Sequence, residues 1–257
     1  MVTAIILAGG VGARVGADRP KQFIEVLGRP VIVYTCEIYQ QHPEVDAIEV
    51  VCHSDYIHYV QDLVGQYGLT KVRWICNGGE TFQDSCMNGI NNLADKISRD
   101  DTIMIHYAAA PFTSQHILTE ALRTCRERGN AVSTIPCFQL MGTNDESGLV
   151  SKTWVDRDQY VQITCPYCFN YGFVADLYKE AGEKGLLDKV EPHTTTLMQY
   201  MGKALYQSYG DQTNIKITTK EDLKLFEGYV LLRHHSSFQK NGVRDNAMFS
   251  RLGAEDN

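Results

Sequence analysis

No stretch of this chain approaches the roughly 18 consecutive apolar residues that a membrane-spanning helix needs. No basic segment with an apolar centre precedes the first strand either. Met1 leads directly into core-like sequence, so no leader is read and the chain is expected in the cytoplasm. Positive charge is short: Lys and Arg number 24 against 31 Asp and Glu, a net of −7. That balance excludes a broad electrostatic affinity for nucleic acid or an anionic membrane, so any phosphate site has to be a local basic pocket. Internal repeats and domain linkers are missing. Two familiar nucleotide signatures are also absent. The first glycines do not have the G-x-G-x-x-G spacing, and no G-x-x-x-x-G-K-S/T occurs.

Cysteine is not scarce. The eight lie mostly in apolar segments such as Val50-Val51-Cys52 and Trp74-Ile75-Cys76, and read as reduced core residues. With 257 residues and 44% hydrophobic content the chain can build its core without disulfides. Cys165-Pro166-Tyr167-Cys168 has the spacing of a redox dithiol. It sits mid-chain, however, with the aromatic, strand-like 169–173 behind it rather than at the start of a helix. A zinc site would need a second ligand pair, and none is found. A dithiol oxidoreductase is therefore a third reading, resting on this pair alone.

What the chain does have is an apolar strand running straight into a glycine-rich, basic loop: Ala4-Ile5-Ile6-Leu7-Ala8-Gly9-Gly10-Val11-Gly12-Ala13-Arg14, then Arg19-Pro20-Lys21-Gln22-Phe23. Glycines let backbone N–H groups approach an anion, and Arg14 and Lys21 add two fixed cations. The plainer alternative is a structural turn with two solvated cations. The loop reads instead as a triphosphate cradle.

Strand and helix patterns alternate beyond it. Strands are expected at 3–8, 47–52, 71–76, 102–106 and 130–136, and helices at 30–42, 55–68, 82–96 and 114–129. This rhythm predicts an α/β fold: a Rossmann-like mixed, mostly parallel sheet with helices on both faces. Ligands in such sheets bind beyond the carboxyl ends of the strands, where the glycine loop, Gly78-Gly79 and His106-Tyr107 would fall. Turn residues between short β-like runs make 137–163 a protruding β-arm. Helices at 174–184, 194–202 and 220–232 and late strands at 206–208 and 214–218 complete a nucleotide-binding domain over 1–235. A polar tail occupies 236–257.

The string L-A-G-G-x-G-x-R followed by P-K-Q resembles the nucleotide loop of polyol-phosphate and sugar nucleotidyltransferases. Its Pro-Lys-Gln ending narrows the likeness to cytidylyltransferases acting on methylerythritol 4-phosphate or ribitol 5-phosphate. The likeness covers about 2–232. It includes Gly78-Gly79 with Asp84-Ser85 and Asn88-Gly89, His106 with Pro111, Asp156-Arg157, and Asn214-Ile215-Lys216-Ile217-Thr218-Thr219 with Glu221-Asp222-Leu223. The last stretch is similar to the ribitol-phosphate branch. The resemblance implies transfer of CMP from CTP to a phosphorylated polyol, with release of pyrophosphate and without a covalent intermediate. It implies Arg14, Lys21 and Lys216 as the triphosphate cations that carry catalysis. Ala8, Gly9, Gly10 and Gly12 would form the backbone cradle, and Gly79 with Ser85 would read cytosine. Arg157 would help hold the acceptor, often across a homodimer interface made by the arm.

The departures cluster. The family's His-Asp-x-x-Arg-Pro reads His106-Tyr107-Ala108-Ala109-Ala110-Pro111, so Tyr107 stands where a Mg²⁺-holding aspartate is expected. Phe82, Leu140 and Tyr167 also replace polar residues, and the family's Thr-Asp motif becomes Thr194-Thr195-Thr196. The acceptor side, with Tyr107, Thr194 and Arg157, is thus expected to differ while the nucleotide side persists. No protein-held metal is expected. Mg²⁺ would arrive on the nucleotide, with Asp211 the nearest carboxylate. Either the acceptor is not methylerythritol phosphate, or the chain is a non-catalytic CTP-binding homologue.

Overall fold

The computed structural model describes residues 1–10 and 19–234. Strand β1 spans Val2–Ala8. A small hairpin, β2 (Glu25–Val26) and β3 (Arg29–Pro30), leads to helix α1 (Val31–Gln41). There follow β4 (Ala47–Cys52), α2 (Ile57–Gln66), β5 (Val72–Asn77), α3 (Phe82–Asn92), β6 (Thr102–Tyr107), α4 (Gln115–Arg128) and β7 (Asn130–Pro136). The last third holds β8 (Val161–Asn170), α5 (Tyr171–Glu183), α6 (Thr194–Tyr200), β9 (Gln207–Tyr209) and α7 (Lys220–His234). The main sheet has the order β5-β4-β1-β6-β8-β7-β9, and only β8 runs against the other six strands. No helix among the described residues is long and apolar enough to cross a membrane.

β1 and β4 are buried along their whole length, as expected for central parallel strands covered on both faces. Alternate residues of β1 feed two separate cores. Ala4, Ile6 and Ala8 pack beneath α1, α2 and α4, while Ile5 and Leu7 pack beneath α3, α5 and α6. A third, smaller cluster seats Phe226 of α7 against Val31 and Phe112.

The sheet, its mixed direction and its two helical layers match the expected fold class. Three local expectations do not hold. Residues 171–173 open α5 instead of extending a strand, because the Asn170 side chain accepts the Phe173 N–H and caps the helix. Helix α3 stops at Asn92, short of residue 96. Residues 214–218 form no strand. They run as irregular chain pinned by the Ile217 N–H to the Ala109 carbonyl, 2.7 Å. The expected arm is a loose two-legged excursion from β7 to β8. It carries cross-links such as Thr143 N–H to Thr153 O and a single bridge between Gly142 and Trp154. The expected tail at 236–257 lies outside the described residues, as do Arg14 and Gly12.

Candidate active site

Two clefts open along the carboxyl edge of the parallel strands and meet at Tyr107 and Lys216. The first, about 280 Å³, is bounded by Gly9 and Gly10 after β1, by Lys21, and by Gly79, Phe82 and Ser85 after β5. The second, about 360 Å³, is bounded by Thr164 and Tyr167 of β8, His193, Thr195, Thr196 and Asn214.

The floor of the first cleft is built around two side chains. Gln22, buried, donates its amide to the carbonyls of Ala8 (2.5 Å) and Gly10 (2.9 Å). This occupies the loop oxygens that would otherwise repel a phosphate. Ser85, in the first turn of α3, accepts the Gly79 N–H at 3.1 Å. A Cβ added at Gly9 or Gly78 would approach the same hydroxyl to 3.1 and 3.0 Å, so both glycine loops close on it. At Gly79 a Cβ would fall 2.1 Å from the Asp84 Cβ, which leaves glycine as the residue that fits. Thr81 and Asp84 form a reciprocal capping box that fixes the start of α3 directly after this turn.

Lys21 reaches across to donate to the Ile217 carbonyl at 2.7 Å, so one wall of the cleft ties the N-terminal loop to the late segment 214–218. Asn214 anchors that segment. Its amide donates to Thr164 Oγ1 (3.1 Å) and the Cys165 carbonyl (2.7 Å), and its own oxygen accepts from Thr113 (2.7 Å). Asp222 caps α7 by accepting the Thr218 and Thr219 N–H groups. Lys216 is thereby held between the clefts, with its Nζ 3.8 Å from the centre of the Tyr107 ring.

His106 is structural. It donates from Nε2 to the Ala110 carbonyl at 3.0 Å, and burial pushes its pKa down to about 4, so the neutral ring braces the turn after β6. Tyr107 hydrogen-bonds to the Tyr167 hydroxyl at 2.9 Å and to His193 Nδ1 at 3.2 Å. Burial, then the neighbouring Tyr167, pushes its ionisation far above the usual phenol range.

The expected residues thus divide. Ala8, Gly9, Gly10, Lys21, Gly79, Ser85, Tyr107 and Lys216 gather at one edge of the sheet. Thr194 does not join them. It is fully buried, its hydroxyl bonds Tyr178 at 2.7 Å, and Thr195 and Thr196 face the cleft instead. Arg157 sits at the foot of the arm, donating to the Phe138 carbonyl at 2.6 Å, and lines neither cleft of its own chain. Cys165 and Cys168 are free, buried thiols. Desolvation raises both pKa values, that of Cys165 to about 12, so neither can serve as an attacking thiolate and the dithiol reading fails. Sequence reasoning assigned no role to Gln22, Glu80 or His193. Only Gln22 carried a signal, as the last letter of Pro-Lys-Gln.

The residues do not fit a protein-held Mg²⁺. Among the described residues no three His, Cys, Asp or Glu side chains converge. The neutral Tyr107 phenol is a poor hard-cation ligand. Asp211 spends its carboxylate on Thr213. Glu80, at the mouth of the first cleft, is exposed and is the one carboxylate among the described residues that line it.

The family model for IspD, 2-C-methyl-D-erythritol 4-phosphate cytidylyltransferase, matches residues 2–232. The ribitol-5-phosphate cytidylyltransferase of Lacticaseibacillus paracasei is 35% identical over 232 residues, 90% of this chain and 98% of that protein. The 2-C-methyl-D-erythritol 4-phosphate cytidylyltransferase of Clostridium botulinum is 32% identical over 226 residues, 88% of this chain and 95% of that one. Among solved structures, 4-diphosphocytidyl-2C-methyl-D-erythritol synthase from Anaerococcus prevotii superposes with a TM-score of 0.73 at 22% identity, covering 90% of this chain and 96% of that one, a likeness of fold. On the family model and these relatives, the chain belongs to the 2-C-methyl-D-erythritol 4-phosphate cytidylyltransferase family.

Proposed function

We propose that the protein transfers CMP from CTP to a phosphorylated polyol of the ribitol 5-phosphate type, releasing pyrophosphate. The observation that carries this reading is the meeting of two clefts at one lysine. The first has glycine walls and Lys21, suited to a nucleoside triphosphate. The second has hydroxyl-bearing walls, suited to a polyol. Lys216 stands between them.

In the reaction a phosphate oxygen of the acceptor attacks the α-phosphorus of CTP. The new P–O bond forms as the α–β bridging P–O bond breaks, and pyrophosphate departs with that electron pair. The protein's part is alignment and charge neutralisation. Lys21 faces the triphosphate side. Lys216 faces the α-phosphate and the incoming oxygen together. The Ser85–Gly79 turn presents backbone groups to a pyrimidine edge and leaves little room for a purine.

Any Mg²⁺ would be supplied with the triphosphate, since no described carboxylate is placed to hold it. The arm exposes Leu140 (92%), Leu149 (89%) and Trp154 (78%), which supports a homodimer in which Arg157 serves the partner's acceptor cleft. Eight free thiols suit a reducing, cytoplasmic setting. Tyr107 at the aspartate position favours one second reading, a CTP-binding homologue without turnover. One assay separates the two. Purified protein is incubated with CTP, Mg²⁺ and either ribitol 5-phosphate or 2-C-methyl-D-erythritol 4-phosphate, and pyrophosphate is followed. Turnover on ribitol 5-phosphate supports the enzyme, and a CTP-specific rise in Tm without turnover supports the homologue. Equal Tm shifts from CTP, ATP, GTP and UTP would remove both.

A further inference from the structure

Tyr107 is packed among aromatic side chains at the junction of the two clefts. Its hydroxyl sits between Tyr167 and His193, at 2.9 and 3.2 Å. The Tyr167 ring meets it edge-on at 6.0 Å, the His193 ring at 6.4 Å, and Phe82 lies tilted at 5.3 Å. Phe82 also packs on His193 at 4.9 Å, closing the group into a box. His193 is itself oriented, its Nε2 lying 3.5 Å from the Glu191 carboxylate.

With the neutral His193 hydrogen on Nε2, toward Glu191, Nδ1 accepts from Tyr107 and the Tyr107 oxygen accepts from Tyr167. Both hydrogen-bond contacts of the phenol are thus to protein side chains. What remains is the face of its ring, and the Lys216 ammonium lies on that face, 3.8 Å from the centroid.

A lysine side chain has many rotamers, so an unbraced ammonium spends much of its time away from any single point. A cation over an aromatic face is attracted by the ring's quadrupole, the more so where water is partly excluded. We infer that Tyr107 is a positioning residue for Lys216: its locked ring, backed by Phe82, Tyr167 and His193, holds the ammonium at the junction of the two clefts. The ring does this without contributing a charge or a metal ligand of its own. Specificity follows from the same box. It presents carbon and committed hydroxyls where an acceptor could otherwise find an ionised partner, so the acceptor's anionic end is directed to Lys216.

The inference rests on the proposed cytidylyl transfer for its catalytic consequence, though the placement of Lys216 can be read without turnover. The experiment compares wild type with Tyr107→Phe, which keeps the ring, and Tyr107→Leu, which removes it. Tyr107→Met is the alternative should leucine unsettle the packing, with thermal melts confirming the fold. Two quantities are measured: kcat with CTP and ribitol 5-phosphate, and the rate at which acetic anhydride modifies Lys216 at fixed pH, read by peptide mass spectrometry. Tyr107→Phe should stay within about 3-fold of wild type in both. Tyr107→Leu should lower kcat by roughly 10-fold, with KM for CTP little changed, and speed Lys216 modification several-fold. Unchanged modification and turnover in Tyr107→Leu would overturn the inference. So would an equal loss in Tyr107→Phe, which would assign the role to the hydroxyl. A wild type without turnover, but with the expected modification pattern, would remove the enzymatic reading and leave the positioning intact.

Discussion

At the scale of single residues, the site depends on a few contacts that admit no substitute. Lys21→Ala removes one charge-assisted contact to the phosphates, worth about 1.5–3 kcal/mol, so kcat/KM should fall by one to two orders of magnitude while the melting curve hardly moves. Full activity in that variant would show that the glycine loop is not where the triphosphate sits. Gly79→Ala acts through space instead of charge. The new methyl would meet the Asp84 Cβ at 2.1 Å, so the turn or the start of α3 has to move. A stability loss of about 1–3 kcal/mol is expected, with weaker CTP binding, both measurable by thermal shift with and without nucleotide. Tyr107 sets the metal behaviour. With a phenol there, calorimetry should detect Mg²⁺ binding only when CTP is present, whereas Tyr107→Asp should make metal binding measurable in its absence. Tight Mg²⁺ binding by the free wild type would contradict the account of this edge.

Among the elements, α3 follows the Gly79 turn proposed to face the base, and Glu49 of β4 is buried beneath it. One Glu49 oxygen accepts from Asn92 at 2.5 Å. Burial outweighs the downward pull of Asn92, Lys96 and Cys76 on the Glu49 carboxyl. Burial pushes its pKa up to about 7 from an ordinary 4.5. The folded state therefore holds a proton that the unfolded chain releases, and this group's stabilisation drains away as pH rises from about 4.5 through 7. His106 works in the opposite sense. Its pKa, lowered to about 4 from 6.5, makes stability drain away as pH falls through that interval. Each is worth at most about 3 kcal/mol, so the two offset one another in the wild type. Glu49→Gln should expose the imbalance: relative to wild type, the variant gains about 2–3 kcal/mol between pH 4.5 and 8, seen in urea titrations at several pH values. A difference that does not vary with pH would mean that Glu49 is already ionised in the fold.

The same elements show what the sequence could convey. β1, β4 and β6 were legible because continuous apolar runs and short turns are local signals. Gly9, Gly10 and Lys21 were legible because the glycine loop is one contiguous string, and Gly79 because Gly78-Gly79 directly follows the apolar strand β5. Residues 214–218 misled because Ile215, Ile217 and the threonines have strand-like alternation, yet their backbone meets Ala109 and Lys21 instead of a neighbouring strand. Thr194 misled by one position. On a short helix that single step decides between the core, where it bonds Tyr178, and the cleft, where Thr195 and Thr196 lie. His193 could not be found at all, since its partner Tyr107, 86 positions away, reaches it through packing and not through any motif.

The whole molecule presents an exposed apolar arm, and the proposed dimer predicts its behaviour. Replacing Trp154 and Leu140 together by glutamate should shift elution on size exclusion from dimer to monomer, with a Tm close to wild type because both side chains are largely solvent-exposed. If Arg157 acts in trans, turnover should then fall with the dimer fraction. Unaltered elution would assign the arm another role. The span of the site's own ties carries a different consequence. Lys21 is bonded to a carbonyl 196 positions away in sequence, and Asn214 holds Thr113 from a distance of 101. Synthesis proceeds from the N-terminus, so a nascent chain halted before Asn214 has its glycine loop and all seven strands of the main sheet but lacks Lys216 and the Ile217 carbonyl to which Lys21 donates. Nucleotide in the cell is accordingly unable to template the early stages of folding. It selects only finished molecules, and a C-terminal truncation that spares the whole main sheet would still abolish its protection.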